Sequence, residues 1–448
     1  MNAPPKIIDV IPQQWALVLE AHEKLVPGDS YLHWDDLSKK SQPEGINHEA
    51  WWAALKLARS SRLRQLPLCD QRKQPFSFNQ PDGLVELLHR LDYSRTEEDL
   101  SPGDPSRATA RALFEESIAS AGLAGATTPH AVALEMLRTG RTPGGRSEQM
   151  IANVYLALEQ IRGLQGHELS LEGVLELHRC ITKGALDEPG SAGRFRRNGE
   201  DAPVVDPSGV VQHTPPPAGE LPERVEQMCA FANGRTPDFF IHPVIRAVIL
   251  HFWLAHDRPF LDGNGRTARA LFHWAMLHQA YPLFNRVALS PVLLQAPAGY
   301  ARAFQQTETD DNDLTYFILH QTTAIRMTVE SLRGRTGRKI NEIREAQEKL
   351  RGFAELNPRQ QALIAHALRK PDTRYVVAGH QRSHGVTHQT ARDDLFDLLR
   401  RELLAVGKEG RRYVFRAPTD LPRRLQAPAG RRQARPPAQG DELPTSLL

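Results

Sequence analysis

Gly263-Asn264-Gly265 lies between two strongly apolar helical runs, and this short turn constrains the fold more than any other segment of the chain. Upstream, residues 243–255 carry Val244, Val248 and Phe252 at helical spacing; downstream, residues 265–279 place Leu271, Phe272 and Ala275 on one face. Helices on both sides of so short a turn point to a mainly α-helical core. The two glycines lack Cβ atoms, so the turn can offer backbone N–H groups to an anion. Those amides open the next helix, whose dipole favours negative charge. Arg266 and Arg269 form an i, i+3 pair on one helical face and can reach a single polyphosphate with forked hydrogen bonds. Asp262 would be repelled by a bare triphosphate, so a carboxylate there makes sense as a Mg²⁺ ligand. Pro259 and Phe260 brace the loop. A helix N-terminus with surface arginines is the structural alternative, and the ordered combination favours the phosphate site over it.

The residue just before this run is Arg258, and an arginine side chain has no atom that accepts a proton. His256 is the nearest substitute, but two residues back along a helix is about 200° around the axis, facing away. His256 and His251 are therefore read as helix-surface or core-edge side chains.

Helical periodicity recurs at residues 46–59, 108–119, 130–136, 147–162, 171–181 and 221–233, with Asn47 as N-cap of the first. Residues 203–205 and 210–212 are β-prone and joined by Asp206-Pro207-Ser208-Gly209, the composition of a hairpin turn. The first hundred residues read as mixed helix and loop, and 96–107 as a linker.

The 448 residues suffice for two or three domains, and the net charge of +3 does not by itself imply nucleic acid. No stretch approaches the roughly 18 apolar residues of a membrane span. No signal-peptide h-region opens the chain, and Cys69, Cys180 and Cys229 lack metal spacing, so a cytoplasmic protein with reduced thiols is expected.

Pro259 to Arg269 resembles, without gaps, the motif His-Pro-Phe-x-Asp-Gly-Asn-Gly-Arg-x-x-Arg of the Fic (Fido) family. The similarity extends through Ile241-His242-Pro243-Val244-Ile245-Arg246-Ala247 and Gly193-Arg194-Phe195-Arg196, and to Tyr31-Leu32-His33-Trp34-Asp35 with the Trp51-Trp52 helix, covering most of residues 30–330. The resemblance implies AMP transfer from ATP, with Mg²⁺, onto hydroxyls of a target protein, and a β-hairpin flap at 204–211 that holds the target segment by strand addition. By position, it implies Asp262 for Mg²⁺, Gly263, Asn264 and Gly265 for the α- and β-phosphates, Arg266 for the β-phosphate and Arg269 for the γ-phosphate.

Two positions depart from the family's pattern. Its general base is the histidine that Arg258 replaces, a loss worth roughly 10²- to 10⁴-fold in rate. Its inhibitory (Ser/Thr)-x-x-x-Glu-(Gly/Asn) stretch matches Ser120 to Gly125 except that the glutamate is Ala124, which leaves Arg269 free for nucleotide. Glu115 and Glu116 lie too many turns away to replace it. An impaired transferase and a non-enzymatic, nucleotide-responsive regulator both fit these changes, and so does Arg258 stabilising phosphate charge in a residual transfer chemistry.

Residues 357–416 show a helix, helix, β-ribbon order that resembles a winged helix. His388, Gln389 and Arg392 would open its recognition helix, capped by Thr387, and Arg411 and Arg412 its wing, where DNA is met. Asp393 and Asp394 on the same helix oppose DNA, and a protein-docking role is the alternative; a homodimer is a further open alternative. The expected organisation is an N-terminal helical region (1–107), a Fic/Fido core with its hairpin flap (108–334), a helical linker with a winged helix-turn-helix-like domain (335–417) and a disordered basic tail (418–448).

Overall fold

The computed structural model describes residues 4–23, 31–93, 105–200, 202–205, 208–350, 356–409 and 412–425. Two compact units result, Met1–Leu332 and Arg333–Leu448. Residues on both sides of position 107 fall in the first unit.

The first unit opens with α1 (Ile7–Glu23), α2 (Trp34–Leu37) and α3 (His48–Ser60), and Asn47 caps α3 by accepting from the Ala50 amide at 2.8 Å. An antiparallel hairpin follows, β1 (Arg64–Cys69) with β2 (Pro75–Phe78), where only helix and loop are expected from the sequence. Phe76 and Phe78, both fully buried, drive it into the core.

Next come α4 (Asp82–Tyr93), α5 (Pro105–Leu123), α6 (His130–Thr139), α7 (Arg146–Gly163) and α8 (Leu171–Thr182). The short antiparallel pair β3 (Val204–Val205) and β4 (Val211–His213) stands at the expected hairpin, although Asp206 and Pro207 lie outside the described residues. The chain continues through α9 (Leu221–Ala232), α10 (Pro243–Asp257), α11 (Asn264–His278), α12 (Ser290–Gln295) and α13 (Pro297–Thr309) into α14 (Thr315–Leu350).

The main core gathers around α10 and α11, which pack against each other, and it includes Val244, Val248, Phe252, Leu271 and Phe272. Both helices are buried nearly all round, enclosed by other elements rather than lying on the surface. Their connecting loop therefore stands on a rigid base.

The second unit contains α15 (Pro358–Arg369), α16 (Val377–His384), α17 (His388–Arg400), the antiparallel ribbon β5 (Ala405–Glu409) with β6 (Arg412–Arg416), and α18 (Leu421–Arg424). Helix α16 adds to the expected helix, helix, ribbon order, in a segment whose composition suggests only a turn. The expected tail also begins later than position 418: Leu421 and Leu425 are buried in this unit's core with Leu363, Leu395 and Phe415. Residues 426–448 lie outside the described residues, as does most of the expected 96–107 linker.

Candidate functional site

Helix α10 ends where Arg258 turns left-handed (φ 43°), and Gly263 (φ 84°) redirects the chain into α11. A Cβ on Gly263 would stand 2.7 Å from Thr182 Cγ2 and 3.1 Å from His178 Nε2, so both backbone and space require glycine. Asn264 closes the loop on itself: its Oδ1 accepts from the Phe260 amide at 3.0 Å and its Nδ2 donates to the Phe260 carbonyl at 2.7 Å. The sequence suggests Asn264 as a phosphate contact. The structure instead occupies both ends of its buried carboxamide with the loop, a positioning role.

His178, on α8, pins the same loop, and nothing in its local sequence marks it. Its Nε2 donates to the Asp262 carbonyl at 2.9 Å, its Nδ1 accepts from the Gly193 amide at 2.9 Å, and its ring stacks on Phe260 with centroids 3.6 Å apart. Burial, assisted by the nearby Arg266, pushes its pKa down to about 4 against the bond to Asp262, so it stays neutral with its tautomer fixed by these two partners.

Arg266 is only 1% exposed, yet its sole hydrogen-bond partner among the described residues is Asp262, whose Oδ2 lies 3.1 Å from Nη2. Its Nε and Nη1 are buried and unpaired. Such donors are costly to leave unmet, and burial lowers the pKa of this guanidinium, partly offset by Asp262. Asp262 itself is half-exposed (51%), takes the Gly263 amide on Oδ1, and lies 3.9 Å from Arg146 on α7.

Arg269, expected to be free because Ala124 replaces a glutamate, is anchored instead. Its Nε donates to Ser120 Oγ and its Nη2 to the Ser120 carbonyl, both at 2.8 Å. Its Nη1 lies beside the loop, 3.1 Å from where a Cβ on Gly265 would be. Helix α5 ends at Leu123, leaving Ala124 exposed and Gly125 left-handed at φ 90°. Serine holds the guanidinium without cancelling its charge, as a carboxylate would. Glu115 pairs with His130. Glu116 is buried against Ser290 and His273; these contacts outweigh the burial that opposes its ionisation and hold its carboxyl at about 2.

Arg258 is turned toward the segment before the hairpin. Its Nε donates to the Ala202 carbonyl at 2.5 Å, and its own carbonyl accepts from Arg196 Nε at 2.9 Å. Burial lowers the pKa of this guanidinium. His256 is buried, with its ring edge-on to Phe76, stacked on Phe252, and its Nδ1 3.1 Å from Asp257 Oδ1. His251 is also fully buried, 2.8 Å from the Tyr300 hydroxyl, and burial drives its pKa to about 3. Both histidines are core residues, deeper than the sequence suggests. The β3–β4 hairpin exposes the β-branched side chains of Val204, Val205, Val210 and Val211.

The loop thus combines unmet buried donors on Arg266, the charged Arg269 over Gly265, the amides at the start of α11 and an accessible carboxylate on Asp262. This donor set fits an anion of several phosphates carrying a divalent cation.

In the second unit, His388 and Gln389 are exposed at the start of α17, and Thr387 caps it through the Thr390 amide. Gln389 donates to Asp393 at 2.9 Å, Arg392 lies over the Phe396 ring, Arg412 is exposed on β6, and Arg411 lies outside the described residues. Asp394, on the same helix, is turned inward onto Arg359, Asn357 and His380 and is not a surface charge.

Comparison with known proteins places these observations. The Fic/DOC family model matches residues 168–276, which include His178, the hairpin and the whole loop. The chain is 33% identical over 181 residues to the protein adenylyltransferase Fic of Drosophila virilis, a stretch covering 39% of this chain and 35% of the relative. It is 32% identical over 187 residues to the protein of the same name from Drosophila melanogaster, covering 41% of this chain and 36% of the relative. The chain thus spans about a third of the length of these curated relatives. A crystal structure of a Fic family protein from Desulfovibrio desulfuricans G20 superposes with a TM-score of 0.51 at 18% identity, covering 75% of this chain and 95% of that one, a likeness of fold. Motif, loop geometry and matched span agree: this chain carries a Fic domain, related to protein adenylyltransferases.

Proposed function

We propose that the loop between Arg258 and Arg269 binds ATP with Mg²⁺ and that this protein's transfer of AMP to protein hydroxyls is impaired at the proton-accepting step. The observation that carries the binding half is Arg266, a buried guanidinium in the first turn of α11 whose Nε and Nη1 have no hydrogen-bond partner among the described residues, while Nη2 meets Asp262. Arg266 and the loop amides would take the inner phosphates and Arg269 the terminal one. Mg²⁺ would be held by Asp262 and would neutralise phosphate charge.

In such a transfer, the oxygen of a target Ser, Thr or Tyr bonds to the α-phosphorus, the bond to the β-phosphate bridge breaks, and pyrophosphate leaves. The hydroxyl proton must go to an acceptor. Arg258 offers none, and His256 is engaged elsewhere, its Nδ1 with Asp257 and its ring with Phe76, Phe252 and His213. The exposed valines of β3 and β4 support strand addition as the means of holding a target segment.

Incubation with α-labelled ATP and Mg²⁺, beside an Arg258→His variant, tests this reading. Label transfer by the variant, at least about 100-fold above the unaltered chain, is the expected result. Strong transfer by the unaltered chain would overturn the role given to Arg258. No transfer by either, with ATP binding intact, would favour a nucleotide-responsive regulator.

A further inference from the structure

We infer that His213, His256 and Glu308 form a binding site for a divalent transition-metal ion, Zn²⁺ fitting best, at the base of the β3–β4 hairpin. One ligand atom from each residue lies within 4.8 Å of the others. The three come from different elements: His213 ends β4, His256 lies in the last turn of α10, and Glu308 in the last turn of α13.

The hydrogen bonds aim the lone pairs. His213 Nε2 faces the His256 carbonyl at 2.7 Å, and a carbonyl can only accept, so Nε2 carries the hydrogen. That leaves His213 Nδ1 facing Glu308 Oε2 at 3.0 Å. Two lone pairs so placed need either a second proton or a cation between them, and a 3.0 Å separation matches adjacent ligands of an ion about 2.0–2.2 Å from each. His256 Nδ1 faces the Asp257 carboxylate at 3.1 Å and likewise donates, which leaves Nε2 as the ligand atom. Asp257 is itself fixed by Arg224 and by Trp253 Nε1, so a carboxylate orients the histidine as in established metal centres.

A cavity of about 240 Å³ adjoins the three residues, and Asp70, Thr214 and Asn312 also line it, giving oxygen atoms and room for water to complete the coordination. Two imidazoles and one carboxylate select Zn²⁺ or a neighbouring first-row ion over Mg²⁺. The ion would tie the hairpin to the end of α10, two residues before Arg258. This site is separate from Asp262, and its existence does not depend on the nucleotide reading.

The test uses the full chain, stripped with chelator and free of nucleotide, titrated with ZnCl₂ in a calorimeter. One equivalent should bind, and the thermal midpoint should rise with Zn²⁺ concentration. His213→Gln and Glu308→Gln, both at partly exposed positions, should each weaken binding at least about tenfold and remove the midpoint rise. Absence of stoichiometric binding, or binding that both variants leave unchanged, would overturn the site. The Co²⁺-loaded unaltered chain gives a reading independent of any variant: d–d bands of an imidazole-ligated, low-coordinate ion support the site, and the spectrum of the hydrated ion refutes it.

Discussion

At the scale of single residues, the loop depends on groups that never need to touch a ligand. Gly263 combines a left-handed backbone with a wall 2.7 Å from where a Cβ would stand. Gly263→Ala should therefore cost about 2–4 kcal/mol of stability, read as a lower denaturation midpoint at unchanged slope. His178 makes a second prediction through pH. Its folded pKa of about 4 lies below its ordinary value of 6.5, so the unfolded chain binds more protons in between. The stability it contributes is complete above about pH 6.5 and is lost as pH falls toward 4, up to about 3 kcal/mol in all. His251, lowered to about 3, acts in the same direction from the same starting pH and continues toward pH 3. Denaturant melts from pH 7 to 4.5 should show the decline, and a His178→Gln variant should show a flatter one; identical slopes would refute the assignment.

At the scale of elements, the contact between α5 and α11 decides how Arg269 meets a nucleotide. Two of its nitrogens rest on Ser120, leaving Nη1 at Gly265. If that anchorage presents the guanidinium to the terminal phosphate, Arg269→Ala should weaken ATP binding about 10- to 100-fold, as expected for a charged hydrogen bond. Ser120→Ala should weaken it less, and the double variant no more than Arg269→Ala alone. Calorimetric titration of the four proteins measures this; additive losses would mean that Ser120 acts independently. The core helices from α5 to α11 and the hairpin at 204–211 were legible in the sequence because apolar spacing and turn residues act locally, whereas α1, α4, α12 and α13 were not. The β1–β2 hairpin was not, since Pro67 interrupts its first strand and its second borders Asp313, far along the chain. The motif named its own residues, but Arg269's dependence on Ser120 and the loop's on His178 are contacts across 149 and 84 positions that no spacing reveals.

At the scale of the whole molecule, each compact unit has a hydrophobic core of its own. The first centres on α10 and α11, and the second on Leu363, Ile364, Leu395, Leu398 and Phe415, brought together by α15, α17 and β6. The candidate nucleotide loop draws every contact described above from residues before position 332. Stability of the second unit and nucleotide binding by the first should thus separate experimentally. Leu395 is fully buried, and truncating it leaves a cavity, so Leu395→Ala should cost about 2–5 kcal/mol within that unit. Scanning calorimetry of the full chain should show one transition moving down while another stays in place, and ATP affinity at 25 °C should remain within about twofold of the unaltered chain's. A tenfold loss of affinity, or a joint shift of all unfolding, would mean that the second core is energetically continuous with the loop.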